Sequence, residues 1–129
     1  MNEKYEEFLD HYKNPRNFRE LEVFTCKGRS ANYSCGDIVD LYILIDKATG
    51  KVLDISFSGE GCSVTIASTS ILTEYLKDKT IQEIRNLTED EFFKILAIPI
   101  TTGRIKCALV GFNALIKCIQ MIEQQQNVN

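Results

Sequence analysis

The chain has 129 residues, of which 44% are hydrophobic and 26% are charged, and this fits one folded domain spanning residues 1–129. Its net charge of −3, with one histidine and no block of Lys or Arg, argues against nucleic acid as a partner. No apolar run approaches the length of a membrane span, and the acidic start of the chain does not read as a secretory signal. We therefore expect a cytoplasmic protein that binds neither nucleic acid nor a membrane.

The predicted elements begin with a helix over 4–13, which ends at Asn14 and Pro15. β-forming residues and alternating apolar positions then predict three strands, at 23–31, 37–45 and 52–57. The last two strands form a hairpin, because Thr49 and Gly50 between them favour a turn.

After Gly61 the apolar spacing becomes helical and predicts helices at 64–76, 80–85, 89–96 and 104–124. The two short helices each follow a threonine with a glutamate three residues later, which is a capping-box pattern. Strands followed by helices indicate an α+β fold: a small three-stranded antiparallel sheet with helices packed on one face.

Five cysteines are an odd number in a chain without a predicted export signal, which argues against a disulfide framework and favours metal binding or catalysis. Two of them, Cys26 and Cys118, are predicted to be small buried residues of the core. Cys118 lies about three helical turns, roughly 16 Å, beyond Cys107, so these two cannot share a metal.

The other three cysteines, Cys35, Cys62 and Cys107, lie where one predicted element gives way to another. Cys35 precedes a strand, whereas Cys62 and Cys107 begin helices, where free N–H groups and the helix dipole stabilise a thiolate. Asp37 lies two residues after Cys35 in an extended stretch, so we expect both side chains on one face. Zn²⁺ suits three sulfur ligands and one oxygen. The alternative is three unrelated thiols, and the glycines beside Cys35 and before Cys62 argue against it.

Five motifs resemble those of one family: His-Tyr-Lys-Asn-Pro-Arg-Asn at 11–17, Cys-Gly-Asp at 35–37, Gly-Glu-Gly-Cys-Ser at 59–63, Ile-Ala-Ser-Thr-Ser at 66–70 and Arg-Ile-Lys-Cys-Ala at 104–108. Together they resemble the NifU N-terminal/IscU/SufU family of iron–sulfur cluster assembly proteins, over almost the whole chain. The resemblance implies a SufE/NifU-like α+β fold, a metal site at the tip of the sheet, and a pyridoxal-phosphate-dependent cysteine desulfurase as partner. Residue by residue, it implies Cys35, Asp37, Cys62 and Cys107 as metal ligands.

The family has two branches, the IscU type and the SufU type, and different parts of this chain resemble each of them. IscU-type scaffolds usually have His before the third cysteine, whereas Lys106 stands here, as in the SufU-type zinc sulfur carriers. Residues 100–104 replace the Leu-Pro-Pro-Val-Lys stretch by which IscU scaffolds engage a chaperone. The insertion usual in SufU proteins between the second and third cysteines is absent. The resemblance is nearest to the SufU type.

Three functions follow from this resemblance. The favoured one is a zinc-dependent, sulfurtransferase-like sulfur carrier, in which Cys35 accepts persulfide sulfur from the desulfurase and passes it to a downstream scaffold or acceptor protein. The second is an IscU-type scaffold that assembles a [2Fe–2S] cluster, with Fe²⁺ or the cluster in place of Zn²⁺ and Cys107 as sulfur acceptor. The third is a non-catalytic zinc adaptor that activates the desulfurase.

Three charged or titratable residues have two interpretations each. Lys106 either lowers the pKa values of the neighbouring thiols or is an ordinary solvated lysine. Arg104 either closes a loop over the site or pairs with Asp37, or it is a plain surface charge. For His11, a packing or surface role is at least as well supported as contact with a partner.

Overall fold

The computed structural model describes residues 3–127. In chain order its elements are α1 (Glu3–Lys13), β1 (Cys26–Asn32), β2 (Asp37–Ile45), β3 (Val52–Glu60), α2 (Ser63–Leu76), α3 (Ile81–Arg85), α4 (Glu89–Leu96), α5 (Ile105–Ala108) and α6 (Val110–Asn127). One-turn 3₁₀ helices at Tyr33–Cys35 and Thr102–Arg104 precede β2 and α5.

The three strands form one antiparallel sheet in the order β1-β2-β3, which confirms the predicted fold class. The register places Asn32 opposite Asp37, so β1 ends where β2 begins. At the same end of the sheet, Ile38 of β2 lies opposite Glu60, the last residue of β3. The strand ends that precede or follow the predicted site residues therefore meet at one tip of the sheet.

The helices cover one face of this sheet, because alternate residues of the strands are apolar and point towards them. Helix α6 packs on β1 and β2, α2 packs on β3, and α1 packs on α2. The centre of the core consists of large side chains with less than 2% exposure, among them Leu41, Ile43, Ile55, Phe57, Leu72, Phe92 and Leu115.

Helix α2 is unusual because its buried surface is largely hydroxyl-bearing. Thr65, Ser68, Thr69, Ser70 and Thr73 are all buried. Thr69 Oγ1 donates to the Thr65 carbonyl, and Thr73 Oγ1 donates to the Ser70 carbonyl, both at 2.8 Å. These bonds within the helix let short polar side chains pack closely against α1 and α6.

The two outer edges of the sheet differ. The edge of β3 is covered at Phe57, since Phe57 N donates to the Asn17 carbonyl and Arg19 N donates to the Phe57 carbonyl, both at 2.9 Å. Within residues 3–127, β1 forms the other edge and pairs with β2 alone. Its Arg29 carbonyl accepts a hydrogen bond from Lys117 Nζ at 2.7 Å.

The structure corrects several predicted boundaries. The first strand, β1, begins at Cys26 instead of residue 23, and β3 continues to Glu60 instead of ending at Phe57. The last helix is interrupted: Cys107 lies in the one-turn helix α5, and a new helix starts at Val110. Both threonine caps are present, and Thr80 forms the complete capping box with Glu83.

Cys26 and Cys118 are buried in the core as predicted, but the expectation that they are unpaired thiols is wrong. Their sulfurs form a disulfide across a sequence separation of 92 residues, with Cα atoms 5.4 Å apart. The pairing depends on how α6 lies on β1, which no local sequence pattern reports. The other three cysteines are free.

Residues 102–125 also contradict the expectation that no apolar run approaches membrane length. That helical stretch is long and apolar enough to span a membrane by length and composition alone. More than half of its most apolar window is buried inside the domain, as expected of a core helix packed on a sheet.

Candidate metal centre

Three of the four predicted ligands meet at the tip of the sheet. One ligand atom each from Cys35, Asp37 and Cys107 lies within 4.8 Å of the other two. Asp37 and Cys107 have 0% exposure, whereas Cys35 is exposed. The fourth residue, Cys62, lies beside Cys107, and the two sulfurs interact.

Cys35 and Asp37 come together by a route that the sequence reasoning did not anticipate. Cys35 ends a 3₁₀ turn rather than an extended stretch, and Asp37 is the first residue of β2. Gly36 between them has φ +72°, in the left-handed region that favours glycine. The proximity of the two side chains is therefore confirmed, but the strand-alternation argument for it is wrong.

Asp37 holds the start of α2 in place. Its Oδ1 accepts a hydrogen bond of 3.0 Å from the backbone N–H of Cys62, the N-cap residue of that helix. A Cβ on Gly61 would lie 2.9 Å from this oxygen and equally close to Thr65, so only glycine fits there. The other carboxylate oxygen, Oδ2, is buried and has no hydrogen-bond partner.

The pKa values of the two inner cysteines, Cys62 and Cys107, are shifted in opposite directions. Burial tends to raise the pKa of Cys62, but hydrogen bonds from Thr65, Cys107 and the backbone N–H groups of the α2 start outweigh it, and the net pKa is lowered. Burial, aided by Cys62 and Asp37, raises the pKa of Cys107 to about 12. Cys62 is thus the more readily deprotonated of the pair.

The supporting residues are only partly as predicted. Arg104 contacts the sulfurs of Cys107 and Cys62, and these contacts raise the pKa of its guanidinium. It does not pair with Asp37 within the described residues. The Lys106 side chain is exposed and forms no hydrogen bond or ion pair within residues 3–127, so its influence on the thiols stays a prediction.

Sequence reasoning missed two polar neighbours of the cysteines. Asn32 Nδ2 lies 3.9 Å from Cys107 Sγ, and Asn32 Oδ1 accepts a 2.8 Å hydrogen bond from Ser34. Thr65 Oγ1 lies 3.4 Å from Cys62 Sγ. Thr65 lies three residues after Cys62, a spacing that the first turn of α2 brings close, whereas Asn32 meets Cys107 across a sequence separation of 75 residues.

His11 belongs to the packing between α1 and α2 rather than to this site. Its Nδ1 is hydrogen-bonded to Ser70 Oγ at 2.8 Å, and the same oxygen accepts a bond from the Arg16 backbone N–H. The motif at 11–17 therefore fastens the N-terminal segment to the hydroxyl-rich helix. This agrees with the packing interpretation of His11.

The residues at the tip fit a metal ion. Zinc with ligand bonds of about 2.0–2.3 Å needs ligand atoms about 3.3–3.8 Å apart, so small side-chain movements would close the observed spacing. The Oδ2 atom of Asp37 has no hydrogen-bond partner and is therefore free to serve as an oxygen ligand. Thiolate ligands suit zinc and iron, and they exclude magnesium or calcium as the preferred ion.

Comparison with known proteins gives relatives that match most of this chain and about 70% of their own length. The chain is 33% identical over 127 residues to the mitochondrial iron sulfur cluster assembly protein 1 of Debaryomyces hansenii, covering 96% of this chain and 70% of that protein. It is 36% identical over 110 residues to the iron–sulfur cluster assembly scaffold protein IscU of Aquifex aeolicus, covering 85% and 69%.

Solved structures agree with these relatives. A putative iron–sulfur cluster assembly scaffold protein for the SUF system from Fervidobacterium islandicum superposes with a TM-score of 0.74 at 27% identity, covering 88% of this chain and 94% of that one. A NifU-like N-terminal protein from Brucella abortus has the same fold, with a TM-score of 0.74 at 20% identity, covering 92% and 93%. The family model of the NifU-like N-terminal domain matches residues 3–129, and this chain belongs to that family.

Proposed function

We propose that this protein acts in iron–sulfur cluster assembly, as a scaffold that receives iron and sulfur at the tip of its sheet. The observation that carries the proposal is the convergence of Cys35, Asp37 and Cys107 within 4.8 Å, with Cys62 beside them. Relatives that match most of the chain are named as assembly or scaffold proteins, which supports the same function. The cluster is cargo here, held by three thiolates and one carboxylate.

Each residue contributes differently to this function. Cys62 and Cys107 hold the metal from the interior, because one caps a helix and the other is fully buried. Asp37 supplies the more labile ligand, since a carboxylate is a harder base than a thiolate and leaves a soft-metal site more readily. Arg104 contacts both inner sulfurs and offsets their negative charge.

Sulfur must come from a partner, and a pyridoxal-phosphate-dependent cysteine desulfurase is the proposed donor. In the transfer, a thiolate of this protein attacks the terminal sulfur of the donor's persulfide, the S–S bond breaks, and the donor leaves as a thiolate. Cys35 is the proposed acceptor because it is exposed and lies next to a left-handed glycine, whereas Cys107 has 0% exposure. This assignment favours Cys35 even in a scaffold.

The second candidate is a zinc-dependent sulfur carrier that delivers sulfur to a downstream scaffold or acceptor. The exposed Cys35 supports it, and so does Lys106 in the position before the third cysteine. In the carrier, Asp37, Cys62 and Cys107 would hold Zn²⁺, which would keep the two thiols deprotonated. A non-catalytic zinc adaptor has the same ligands but accepts no sulfur.

Anaerobic reconstitution distinguishes the three functions. The purified protein is mixed with Fe²⁺, cysteine and a desulfurase, and the visible absorption and the metal content are measured. A brown product with thiolate-to-iron absorption, lost in Cys62→Ser and kept in Ser34→Ala, is the expected result. A colourless protein that retains zinc and acquires sulfur on Cys35 would establish the carrier, and one that acquires no sulfur would establish the adaptor.

A second experiment locates the sulfur. After brief reaction with desulfurase and cysteine, mass spectrometry of alkylated peptides should find the first extra sulfur atom on Cys35. First appearance on Cys107, with Cys35→Ser still accepting sulfur, would overturn the assignment of the acceptor. The iron result would still stand, because the two experiments measure different steps.

A further inference from the structure

The Cys26–Cys118 pair takes no part in the metal centre. Cys26 begins β1, and the site adjoins the other end of that strand, at Asn32. Six residues of strand separate the two ends by about 20 Å. The pair is therefore too far from Cys35 and Cys107 to exchange with them inside one folded molecule.

We propose that Cys26 and Cys118 form a reversible redox-modification site, which low-molecular-weight disulfides oxidise into a clamp between β1 and α6. Their Cα atoms are 5.4 Å apart, a separation typical of bonded cysteines. Both side chains are buried, at 2% and 0% exposure, so folding alone holds them together.

The close approach of strand and helix is built into the backbone. A Cβ on Gly28 would lie 2.2 Å from the Ala114 carbonyl oxygen and 2.9 Å from the Cys118 backbone nitrogen. Glycine at this position thus lets α6 sit directly on β1, two residues from Cys26. Within residues 3–127, no other cysteine lies in this strand–helix contact.

A small thiol reagent reaches the pair by local opening of the sheet edge. β1 is an edge strand, and the residues before it are exposed, with Val23 at 70% and Phe24 at 40%. Edge strands and segments of this kind open more easily than central strands. Exchange is therefore expected to be slow but possible in the folded protein.

The oxidation needs one external disulfide, such as oxidised glutathione. One cysteine thiolate attacks it and forms a mixed disulfide, releasing one glutathione thiol. The second cysteine then attacks the protein sulfur of the mixed disulfide, forming the Cys26–Cys118 bond and releasing the second glutathione thiol. The protein loses two hydrogen atoms, and the oxidised glutathione gains them.

The bridge closes a loop of 92 residues, so it restricts the unfolded chain strongly. The oxidised protein should melt roughly 10 °C above the reduced protein. Because β1 reaches Asn32 and α6 follows directly after the helix that carries Cys107, the clamp also fixes the two elements that flank the centre.

The test uses the full chain carrying Cys35→Ser, which removes the exposed thiol, equilibrated in glutathione buffers of graded ratio. Free thiols are then alkylated, and peptides are analysed by mass spectrometry beside thermal melts. We expect a linked peptide containing Cys26 and Cys118 and a melting temperature that rises with the oxidised fraction. Adding Cys118→Ser should abolish both effects.

Alkylation of both cysteines at every ratio would overturn the proposal, and so would a linked peptide with no change in melting temperature. If Cys118→Ser does not fold, the double variant Cys26→Ala/Cys118→Ala replaces it, because it keeps the core apolar. A redox-dependent melt in that double variant would likewise contradict the assignment. These readouts need neither iron nor a desulfurase, so they are independent of the proposed function.

Discussion

At the scale of single residues, the two carboxylate oxygens of Asp37 have separate roles. Oδ1 caps α2 through Cys62, and Oδ2 is free for a metal. Asp37→Asn keeps an oxygen for the helix cap but no carboxylate, whereas Asp37→Ala removes both. We expect slower release of metal to a chelator in both variants, and a loss of about 1–3 kcal/mol in unfolding free energy only in Asp37→Ala. Metal release as fast as in the unaltered protein would contradict the role of a labile ligand.

The lowered pKa of His11 predicts how the stability of the fold depends on pH. Burial, followed by the nearby Arg16, lowers its pKa from the ordinary value of 6.5, and this outweighs the opposing attraction of Asp10, Glu74 and Glu7. Between the two pKa values the unfolded state binds more protons, so stability falls as the pH drops from 6.5 through the lowered pKa.

Urea unfolding from about pH 7.5 to about pH 5 measures this effect. The variant His11→Gln, which is neutral throughout, should lose most of the slope, because His11 is the single histidine of the chain. An equal slope in both proteins would assign the pH dependence to other groups.

The three candidate cysteines could be singled out from the sequence because their signals are local: thiols beside glycines and at helix starts. Their neighbours could not. The contact of Asn32 with Cys107 joins positions on different elements, and the contact of Arg104 with two sulfurs depends on a 3₁₀ turn that has no distinct sequence pattern.

At the scale of elements, the contact of α6 with β1 depends on Gly28. In Gly28→Ala the new methyl group meets backbone atoms of Ala114 and Cys118, which cannot move aside as a flexible side chain could. We expect a loss of about 1–3 kcal/mol in unfolding free energy. Gly103→Ala is the matched control, since a Cβ there meets nothing within 4 Å. Equal stability of the two variants would show that α6 can shift without cost.

The bounds of some helices and strands could be predicted from the sequence, but the break within the last helix could not. Strand β2 and helix α4 have the predicted bounds, because alternation and the threonine cap are local signals. The break after Ala108 has no Gly or Pro to announce it. It coincides with two tertiary demands, the full burial of Cys107 and the close contact of Gly111 with Thr69. Such demands are absent from a one-dimensional pattern.

At the scale of the whole molecule, metal binding and folding should be linked. The ligands lie on a turn, a strand, a helix start and α5, so a bound ion joins elements from most of the chain. Zn²⁺ at about 100 times its dissociation constant should add about 2.7 kcal/mol to the unfolding free energy. Thermal melts of metal-free protein with and without zinc measure this, and Cys62→Ser should lose most of the gain. A zinc effect of the same size in Cys62→Ser would remove that cysteine from the ligand set.

The location of the molecule in the cell stays a prediction. The cytoplasmic expectation rests on composition, and one relative is named as mitochondrial. Microscopy of the tagged full-length protein in its own cells would decide between the two.

The unequal edges of the sheet limit how copies of this chain can polymerise. Residues 17–19 pair with β3 at Phe57 and interrupt its outer side, so β1 is the more open side for a strand of a second copy. An antiparallel pair joined there would bring Lys27 and Arg29 of both copies together, with like charges opposed. Continuation beyond two molecules would need the interrupted side of β3. Both sides of the sheet therefore disfavour strand-by-strand growth into a fibril.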